Sequence, residues 1–249
     1  MQKFKYSETS VSNIRSVSLS SDGNTLAVGE INQPISTTKI WINVNDVWNI
    51  QKNLIQPNIG TGFNYYGRSV SLSADGNTLA VGSPGDGDTI GYVYIYNRFG
   101  SNWSNPIQLS YNNRISFGYC VSLSADGKIL AVGSPLLTSD GIGMTLIYRD
   151  WINTPTEELQ YNDYSSQGFS VSLSADGNIL AVSAPYDNTG YIIVWVFNTV
   201  WSSYYYSSNI AIFNVSISAD GFTIAGGSNP YTSTVIIYKK IVDDWVKNC

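Results

Sequence analysis

The stretch SVSLSADGNTLAVGSP at residues 69–84 decides the fold, because the chain carries five copies of it. Further copies begin at Ser16, Cys120 and Ser170, and a diverged copy begins at Asn214. In each copy two alternating runs flank an Asp-Gly pair, which is the strongest short-range signal for a β-hairpin. The positive backbone dihedrals of such a turn match the twist of the two strands. Each copy therefore predicts an inner hairpin with a turn of about two residues at Asp-Gly.

The spacing of the copies predicts the architecture. The Asp-Gly pairs are separated by 53, 51, 50 and 44 residues, and their aspartates are Asp22, Asp75, Asp126, Asp176 and Asp220. A period near fifty is typical of β-propellers, in which each repeat forms one blade.

Two further strands follow each hairpin. The third is a β-branched and aromatic run, found near Lys39, from Gly91, from Met144, from Gly190 and from Ser233. A tryptophan then recurs 25 to 28 residues after each aspartate and leads into a fourth, outer strand; these residues are Trp48, Trp103, Trp151, Trp201 and Trp245. Four strands per repeat make one propeller blade.

The two ends of the chain suggest how the ring closes. The sequence stops four residues after Trp245, whereas QKFKYSE at 2–8 resembles a fourth strand with no repeat before it. Counting from Asp220 through the joined ends to Asp22 gives 51 residues, within the range of the other spacings. We predict a single all-β domain over residues 1–249. It is a five-bladed β-propeller of four-stranded antiparallel blades, closed by the N-terminal strand completing the last blade.

The repeats resemble the FG-GAP repeats of integrin-α-like propellers. The likeness is carried by YGRSVSLSADGNTLAVGSPGDGDTIGYVYIY (66–96) and FGYCVSLSADGKILAVGSP (117–135), including Phe117-Gly118, and by Ala184-Pro185. It weakens in the fifth repeat, where IAIF (210–213) replaces Phe-Gly. The resemblance implies a recognition platform. A second resemblance, to WD-repeat propellers, is weaker because the period is longer and the chain has no histidine.

The metal sites of FG-GAP propellers do not carry over to this chain. Many relatives hold calcium in an Asp-x-Asp-x-Asp-Gly loop between the first two strands. Here that loop is SADGN, with one carboxylate and no room for six oxygen ligands. The Asp-Gly pairs are therefore predicted to be turns, and we expect no metal and no cofactor.

Composition narrows the function classes. With no histidine, the chain lacks a histidine-based triad, general base or zinc set. Glu157 and Glu158 are adjacent on a strand and face opposite sides, so they make a poor acid–base pair. Thirteen basic against eighteen acidic residues give a net charge of −5 without a basic stripe, which argues against a nucleic-acid partner. We therefore predict a protein that is not an enzyme.

The sequence shows no feature that targets it to a membrane or to secretion. The longest strongly apolar run, 191–197, is too short to cross a bilayer. The N-terminus has no signal peptide, and two cysteines cannot make a disulfide framework. The expectation is an intracellular protein, cytoplasmic or associated with a particle, without a membrane partner.

Aromatic residues are the remaining resource for binding. Those at matching positions of the third strand, namely Tyr96, Tyr148, Phe197 and Tyr238, predict packing between blades. Others fall in loops that propeller topology brings to one face, where binding usually resides. Together with nearby carboxylates they give the candidate ligand-binding residues Tyr66, Tyr119, Asp86, Asp88, Asp140, Tyr186, Asp187 and Tyr231.

Three functions fit these residues. The first is a non-enzymatic binding or scaffold propeller that recognises a protein partner through the loops of one face. The second is a lectin-like module, because Asp86, Asp140 and Asp187 occur in the same loop of successive repeats and tyrosine beside a carboxylate suits a sugar hydroxyl. The third is a structural component of a larger particle. A hydrolase on this scaffold ranks behind all three.

Overall fold

The computed structural model contains strands and turns and, within the residues described, no helix. It describes residues 13–32, 35–57, 64–85, 89–135, 142–150, 154–160, 166–185, 190–207, 210–228, 233–241 and 244–248, with the backbone alone at 205–207, 241, 244 and 248.

The strands form five antiparallel sheets, one for each sequence repeat. Blade one contains β1 (Asn13–Leu19), β2 (Thr25–Ile31), β3 (Thr37–Val44) and β4 (Val47–Ile55). Blade two contains β5 (Ser69–Leu72), β6 (Thr78–Ser83), β7 (Tyr92–Phe99), β8 (Asn102–Trp103) and β9 (Ile107–Leu109). Blade three contains β10 (Cys120–Leu123), β11 (Ile129–Ser134), β12 (Met144–Arg149) and β13 (Glu157–Leu159). Blade four contains β14 (Ser170–Leu173), β15 (Ile179–Ala184), β16 (Tyr191–Asn198) and β17 (Val200–Ser207). Blade five contains β18 (Ile212–Ile217), β19 (Thr223–Ser228), β20 (Val235–Ile241) and β21 (Asp244–Asn248).

Each blade follows the same antiparallel order from its first, inner strand to its fourth, outer strand. In blade two, β8 and β9 both pair with β7 and share the fourth position. The register repeats as well: Leu79 faces Tyr96 in blade two, and Leu130 faces Tyr148 in blade three. The predicted five-bladed, four-stranded propeller is confirmed.

The core lies between the blades. The face of each sheet packs on the sheet that follows it, as where Val93 and Ile95 of blade two contact the cluster containing Val121, Leu123 and Tyr148 of blade three. These five side chains are at most 7% exposed. Since the apolar positions of each repeat recur, four such interfaces join the five blades.

The predicted aromatic packing is confirmed for three residues, whereas the fourth, Phe197, does not occupy the matching register position. Tyr96, Tyr148 and Tyr238 are buried at matching register positions. In blade four the matching residue is Trp195, which pairs with Leu180 and is 7% exposed, and not Phe197. Phe197 lies two positions further along β16, where it is only partly buried.

The hairpin turn differs from the expected two-residue form. In blade three β10 ends at Leu123 and β11 begins at Ile129, so five residues connect them. Gly127 has a φ of 71°, but Asp126 does not have a positive φ. The Gly127 N–H donates to the Ser124 carbonyl at 3.0 Å, which closes a turn inside this longer loop. The loop is longer because the Asp126 side chain bonds within it.

Hydrogen bonds between neighbouring hairpins link the blades into an arc. Ser21 N–H donates to Ala74 O, and the same bond recurs at the next three steps, ending with Ala175 N–H donating to Ala219 O at 2.9 Å. Serine hydroxyls of each inner strand also accept an N–H of the next one, from Ser18 and Leu72 onward. Within the described residues neither series continues from blade five to blade one.

The two end faces of the arc are correspondingly exposed. Val17 and Leu19 of blade one are 63% and 54% exposed, whereas Val70 and Leu72 at the same positions of blade two are 7% and 8% exposed. On blade five, Ile237 is 40% exposed. We define the seam as the two end faces that carry Val17, Leu19 and Ile237. In the described part of the chain, blades five and one do not pack on each other there as the other blades do.

One part of the closure prediction is wrong. We expected the chain to end before blade five had its fourth strand, yet β21 pairs with β20 and supplies it. The reason is the position of the tryptophan: Trp245 is the second residue of β21, as Trp48 is of β4, and does not precede the strand. The expected closing strand at 2–8 lies outside the described residues and stays a prediction.

Candidate functional site

Five residues of matching sequence position meet where the inner strands begin. Each lies seven residues before the aspartate of its repeat, and together they define the channel mouth: Arg15, Arg68, Tyr119, Phe169 and Phe213. Because the inner strands line the axis of the propeller, these residues surround one end of the central channel. The Asp-Gly turns lie at the other end of the same strands.

Local backbone geometry turns these side chains toward the mouth. In blades two to four the residue directly precedes the inner strand and follows a glycine of positive φ, such as Gly118 at 85°. In blades one and five it falls on a register shift, at Arg15 and Phe213. A bulge of this kind re-aims a side chain without ending the strand.

The glycines of the Phe-Gly motif have a packing role at the mouth. An added Cβ on Gly133 of blade three would lie 2.0 Å from the Gly168 carbonyl oxygen of blade four. Gly82 approaches Gly118 in the same way, at 2.1 Å. Such contacts between backbones tolerate no side chain. They hold the mouth segments of neighbouring blades in fixed relative positions.

Three of the five side chains form a continuous aromatic wall. The rings of Tyr119 and Phe169 are 4.9 Å apart, and the rings of Phe169 and Phe213 are 5.3 Å apart and nearly perpendicular. Edge-to-face contacts of this kind are favourable beyond the apolar area they bury. All three side chains are only partly buried, so the wall faces outward over blades three, four and five.

A guanidinium extends the wall onto blade two. The Arg68 Cζ lies 3.7 Å from the centre of the Tyr119 ring, a cation–π stack. Its Nε is buried and has no hydrogen-bond partner in the described structure. Arg15 of blade one is exposed and lines the same cavity. Neither arginine has an ion-pair partner among the described residues.

The mouth encloses a cavity of about 260 Å³. Besides the arginines, Tyr119 and Phe169 it is lined by Ser16, Ser69, Cys120, Ser170 and Asn214. None of the described lining residues is acidic. A second cavity of about 280 Å³ lies on the outer strands of blades four and five, where its lining includes Tyr204, Lys240 and Trp245. We favour the mouth as the site because residues of all five blades converge on it.

Cys120 in the lining is not an activated nucleophile. Burial raises the pKa of its thiol above the usual value, although its hydrogen bonds and the charge of Arg68 act in the opposite direction. The Sγ accepts a hydrogen bond from Val171 N–H at 3.4 Å, so the side chain joins blades three and four. A thiol with a raised pKa has little thiolate at neutral pH.

Two of the predicted binding residues, Tyr66 and Tyr119, lie in the part of the chain that the structure describes. Tyr119 lies at the mouth, and its role in ligand binding stays a prediction. Tyr66 is fully buried, and its hydroxyl is 2.8 Å from that of Tyr96. Its expected role in binding is therefore wrong, because the residue fills the core between blades one and two. The remaining candidates, Asp86, Asp88, Asp140, Tyr186, Asp187 and Tyr231, lie outside the described residues and stay predictions.

The repeated aspartates serve the turns, as predicted. In blade three the Asp126 carboxylate accepts hydrogen bonds from the Ser124 hydroxyl at 2.6 Å and from the Lys128 N–H at 3.0 Å. The hydroxyl bond is the main cause that lowers the pKa of Asp126. Equivalent bonds occur in the other four repeats. Elsewhere Glu158 accepts a hydrogen bond from Tyr111, so this carboxylate also has a structural partner.

The described residues contain neither a cluster of metal ligands nor a helix that could span a membrane. No three acidic, cysteine or histidine side chains there lie close enough together to hold a metal ion. The same residues include no helix with the length and apolar character needed to cross a membrane.

Sequence reasoning missed four of the five mouth residues. Arg15, Arg68, Phe169 and Phe213 were not candidates because their residue types differ from blade to blade. The signal that would have found them is their position in the repeat. Each directly precedes the first residue of a repeated stretch, which is Ser16, Ser69, Cys120, Ser170 or Asn214.

Comparison with known proteins identifies the fold. No family model and no curated protein matches the sequence. Among solved structures, the chain is similar to a chain of the mitotic checkpoint complex, with a TM-score of 0.69 at 16% identity over 97% of this chain and 66% of that one. The chain is also similar to the Dos1 propeller, with a TM-score of 0.65 at 13% identity over 92% of this chain and 55% of that one. Its similarity to the periplasmic gluconolactonase PpgL of Pseudomonas aeruginosa has a TM-score of 0.65 at 14% identity, over 94% of this chain and 70% of that one.

These likenesses bear on architecture alone. Our chain spans between 55% and 70% of the lengths of the three proteins it matches. Identities of 16% or less carry no activity and no partner from one protein to another. Together with the five sheets, they show that the chain adopts a β-propeller fold.

Proposed function

We propose that this propeller is a non-enzymatic binding module that recognises a protein partner, with the channel mouth as its contact site. The observation that carries the proposal is the mouth itself, a concave patch that joins three outward-facing aromatic rings to two arginines without ion-pair partners. Aromatic and arginine side chains are the types enriched where proteins bind one another.

The scaffold supports such a role. Four tightly packed interfaces and the hairpin hydrogen bonds hold the mouth residues in place before any partner arrives. A site that is already ordered loses little conformational entropy on binding. The resemblance of the repeats to FG-GAP repeats also implies recognition.

Catalysis has less support. The mouth offers two arginines and a thiol of raised pKa, but its described lining includes no pair of groups suited to general acid–base chemistry. A gluconolactonase shares the fold, which shows that the fold permits enzymes. The residues that would make this chain one are not among those at the mouth. An intracellular location and the particle role stay predictions from the sequence.

The test compares two matched variants in quantitative affinity capture from native lysate. Phe169→Ser removes the centre of the aromatic wall. Phe222→Ser removes a phenylalanine that is 52% exposed in the hairpin of blade five, at the opposite end of the inner strands. A protein retained by wild type and Phe222→Ser but lost by Phe169→Ser supports the proposal, provided that thermal unfolding shows both variants folded.

Two other outcomes would redirect the assignment. If no captured protein distinguishes the two variants, the mouth is not the contact site. If wild type instead binds immobilised glycans saturably and both variants still do, the lectin-like function through the predicted loop residues replaces our proposal.

A further inference from the structure

We propose that the channel mouth binds a carboxylate of an acidic, aromatic-containing peptide segment, with Arg68 and Arg15 holding the anion and the aromatic wall holding its apolar neighbour. This rests on the proposed function and names the chemistry of the partner segment.

Arg68 is a partly desolvated charge without a counter-ion among the described residues. Its guanidinium stacks on Tyr119, and its buried Nε has no hydrogen-bond partner among them. Removing a charge from water without pairing it is costly, so an anion that reaches this guanidinium is attracted more strongly than at an open surface. Stacking on one ring face leaves the edge of the guanidinium plane, which carries its donors, for a ligand. That edge matches a carboxylate in two-point hydrogen bonds.

The rest of the lining favours an anion with an apolar group attached. Arg15 adds a second positive charge from blade one, and the lining contains no carboxylate to oppose it. Phe169 stands beside Tyr119 and continues to Phe213, so the space next to the cations is walled by aromatic surface. A cavity of about 260 Å³ admits one or two side chains and not a folded domain.

The charge of the whole chain selects among anions. At a net charge of −5 the protein repels polyanions, so nucleic acid, which requires a stripe of basic residues, gains little from two arginines in one concavity. Free phosphate has no apolar group that could contact the aromatic wall. A short peptide with aspartate or glutamate beside phenylalanine or tryptophan uses both halves of the mouth.

The experiment measures fluorescence anisotropy with two labelled peptides. The probe is fluorescein-Gly-Phe-Asp-Phe-Asp-Phe-Gly, and its twin carries Asn in place of both Asp. We expect the acidic probe to bind at least about tenfold more tightly than the twin, and its affinity to fall as salt rises from about 50 to about 500 mM.

Arginine variants then locate the anion. Arg68→Gln should lower the affinity for the acidic probe by about tenfold or more, to a value close to the affinity for the Asn-containing twin. The matched control is Arg149→Gln, because Arg149 also stacks on a ring, with Cζ 4.5 Å from the Phe197 ring centre, but it lies outside the mouth. This control should bind as wild type does.

Each contrary result is decisive. Equal affinity for the two peptides, no binding up to about 1 mM, or equal losses in Arg68→Gln and Arg149→Gln would overturn the carboxylate assignment. Full competition by inorganic phosphate at equal concentration would assign the site to a simple anion instead. If Phe169→Ser loses a captured protein while the peptides fail, the mouth remains a contact site and only its carboxylate chemistry is wrong.

Discussion

Replacing one repeated glycine by alanine in two different blades tests the open seam. Gly133 in blade three and Gly227 in blade five occupy the same position, seven residues after the aspartate of their repeats. An added Cβ at Gly133 would lie 2.0 Å from the Gly168 carbonyl oxygen and 2.9 Å from its carbonyl carbon. At Gly227 no atom of the described residues lies within 4 Å of the added atom. The same substitution therefore meets the backbone of the next blade at Gly133 and no described residue at Gly227.

The two free-energy changes should have opposite signs. At Gly133 the blades must separate by about 1 Å, and overpacking of this kind costs about 1–3 kcal/mol or more. Alanine also restricts the unfolded chain, which stabilises by about 0.4–1 kcal/mol where the backbone permits it. We expect the free energy of unfolding of Gly133→Ala to fall by about 2 kcal/mol and its melting temperature to fall by about 4–8 °C. The free energy of unfolding of Gly227→Ala should rise by up to about 1 kcal/mol.

Urea unfolding followed by tryptophan fluorescence measures both changes through the transition midpoint, provided that the slope stays constant. A loss at Gly227→Ala as large as that at Gly133→Ala would show that another blade or segment packs against blade five. The reasoning about the open seam would then be refuted, because Gly227 would face the same close approach as Gly133.

Three further predictions concern the core and the turns. Tyr66→Phe leaves the buried Tyr96 hydroxyl without its partner and should cost about 1–3 kcal/mol in urea unfolding, without altering binding of the acidic probe. Lys39→Met removes the charged partner of the Glu30 carboxylate, which is 1% exposed and lies 3.1 Å from the Lys39 Nζ. The substitution should lower the free energy of unfolding by about 3–5 kcal/mol, and an unchanged urea midpoint would contradict this. The folded-state pKa of Asp126 is lowered, so its hydrogen bonds stabilise the fold above the unfolded value of about 3.9 and this contribution is lost as pH falls through the folded pKa. Asp126→Asn should therefore reduce the acid sensitivity of unfolding below about pH 4, and an identical pH profile would contradict this.

The repeat made the architecture predictable from sequence. Alternation, the Asp-Gly pairs and a period near fifty each pointed to four-stranded blades, and all five sheets formed as the pattern required. Errors arose where one residue of register mattered. Trp245 belongs to the outer strand instead of preceding it, and Trp195 rather than Phe197 occupies the packing position of blade four.

The site was less predictable because its residues do not share a chemical type. Tyr66 and Tyr119 look alike in sequence, since each is beside a glycine that lies two residues before an inner strand. Tyr66 precedes Gly67, however, whereas Tyr119 follows Gly118. One therefore enters the core and the other the mouth. Arg15 and Arg68 occupy the position of Tyr119 in their own repeats. They lie at the same site because the blades are arranged in a ring, and that arrangement cannot be read from the sequence of a single repeat.

Hydrogen exchange with and without the acidic probe tests the central claim most directly, because it locates binding on the chain without a substitution. We predict that saturating probe slows exchange in the segments that enter the inner strands, 64–69, 116–120 and 166–170, and leaves the Asp-Gly hairpins unchanged. Slower exchange confined to the outer strands β4 and β17 or to the hairpins, or no change at any segment, would contradict a binding site at the channel mouth.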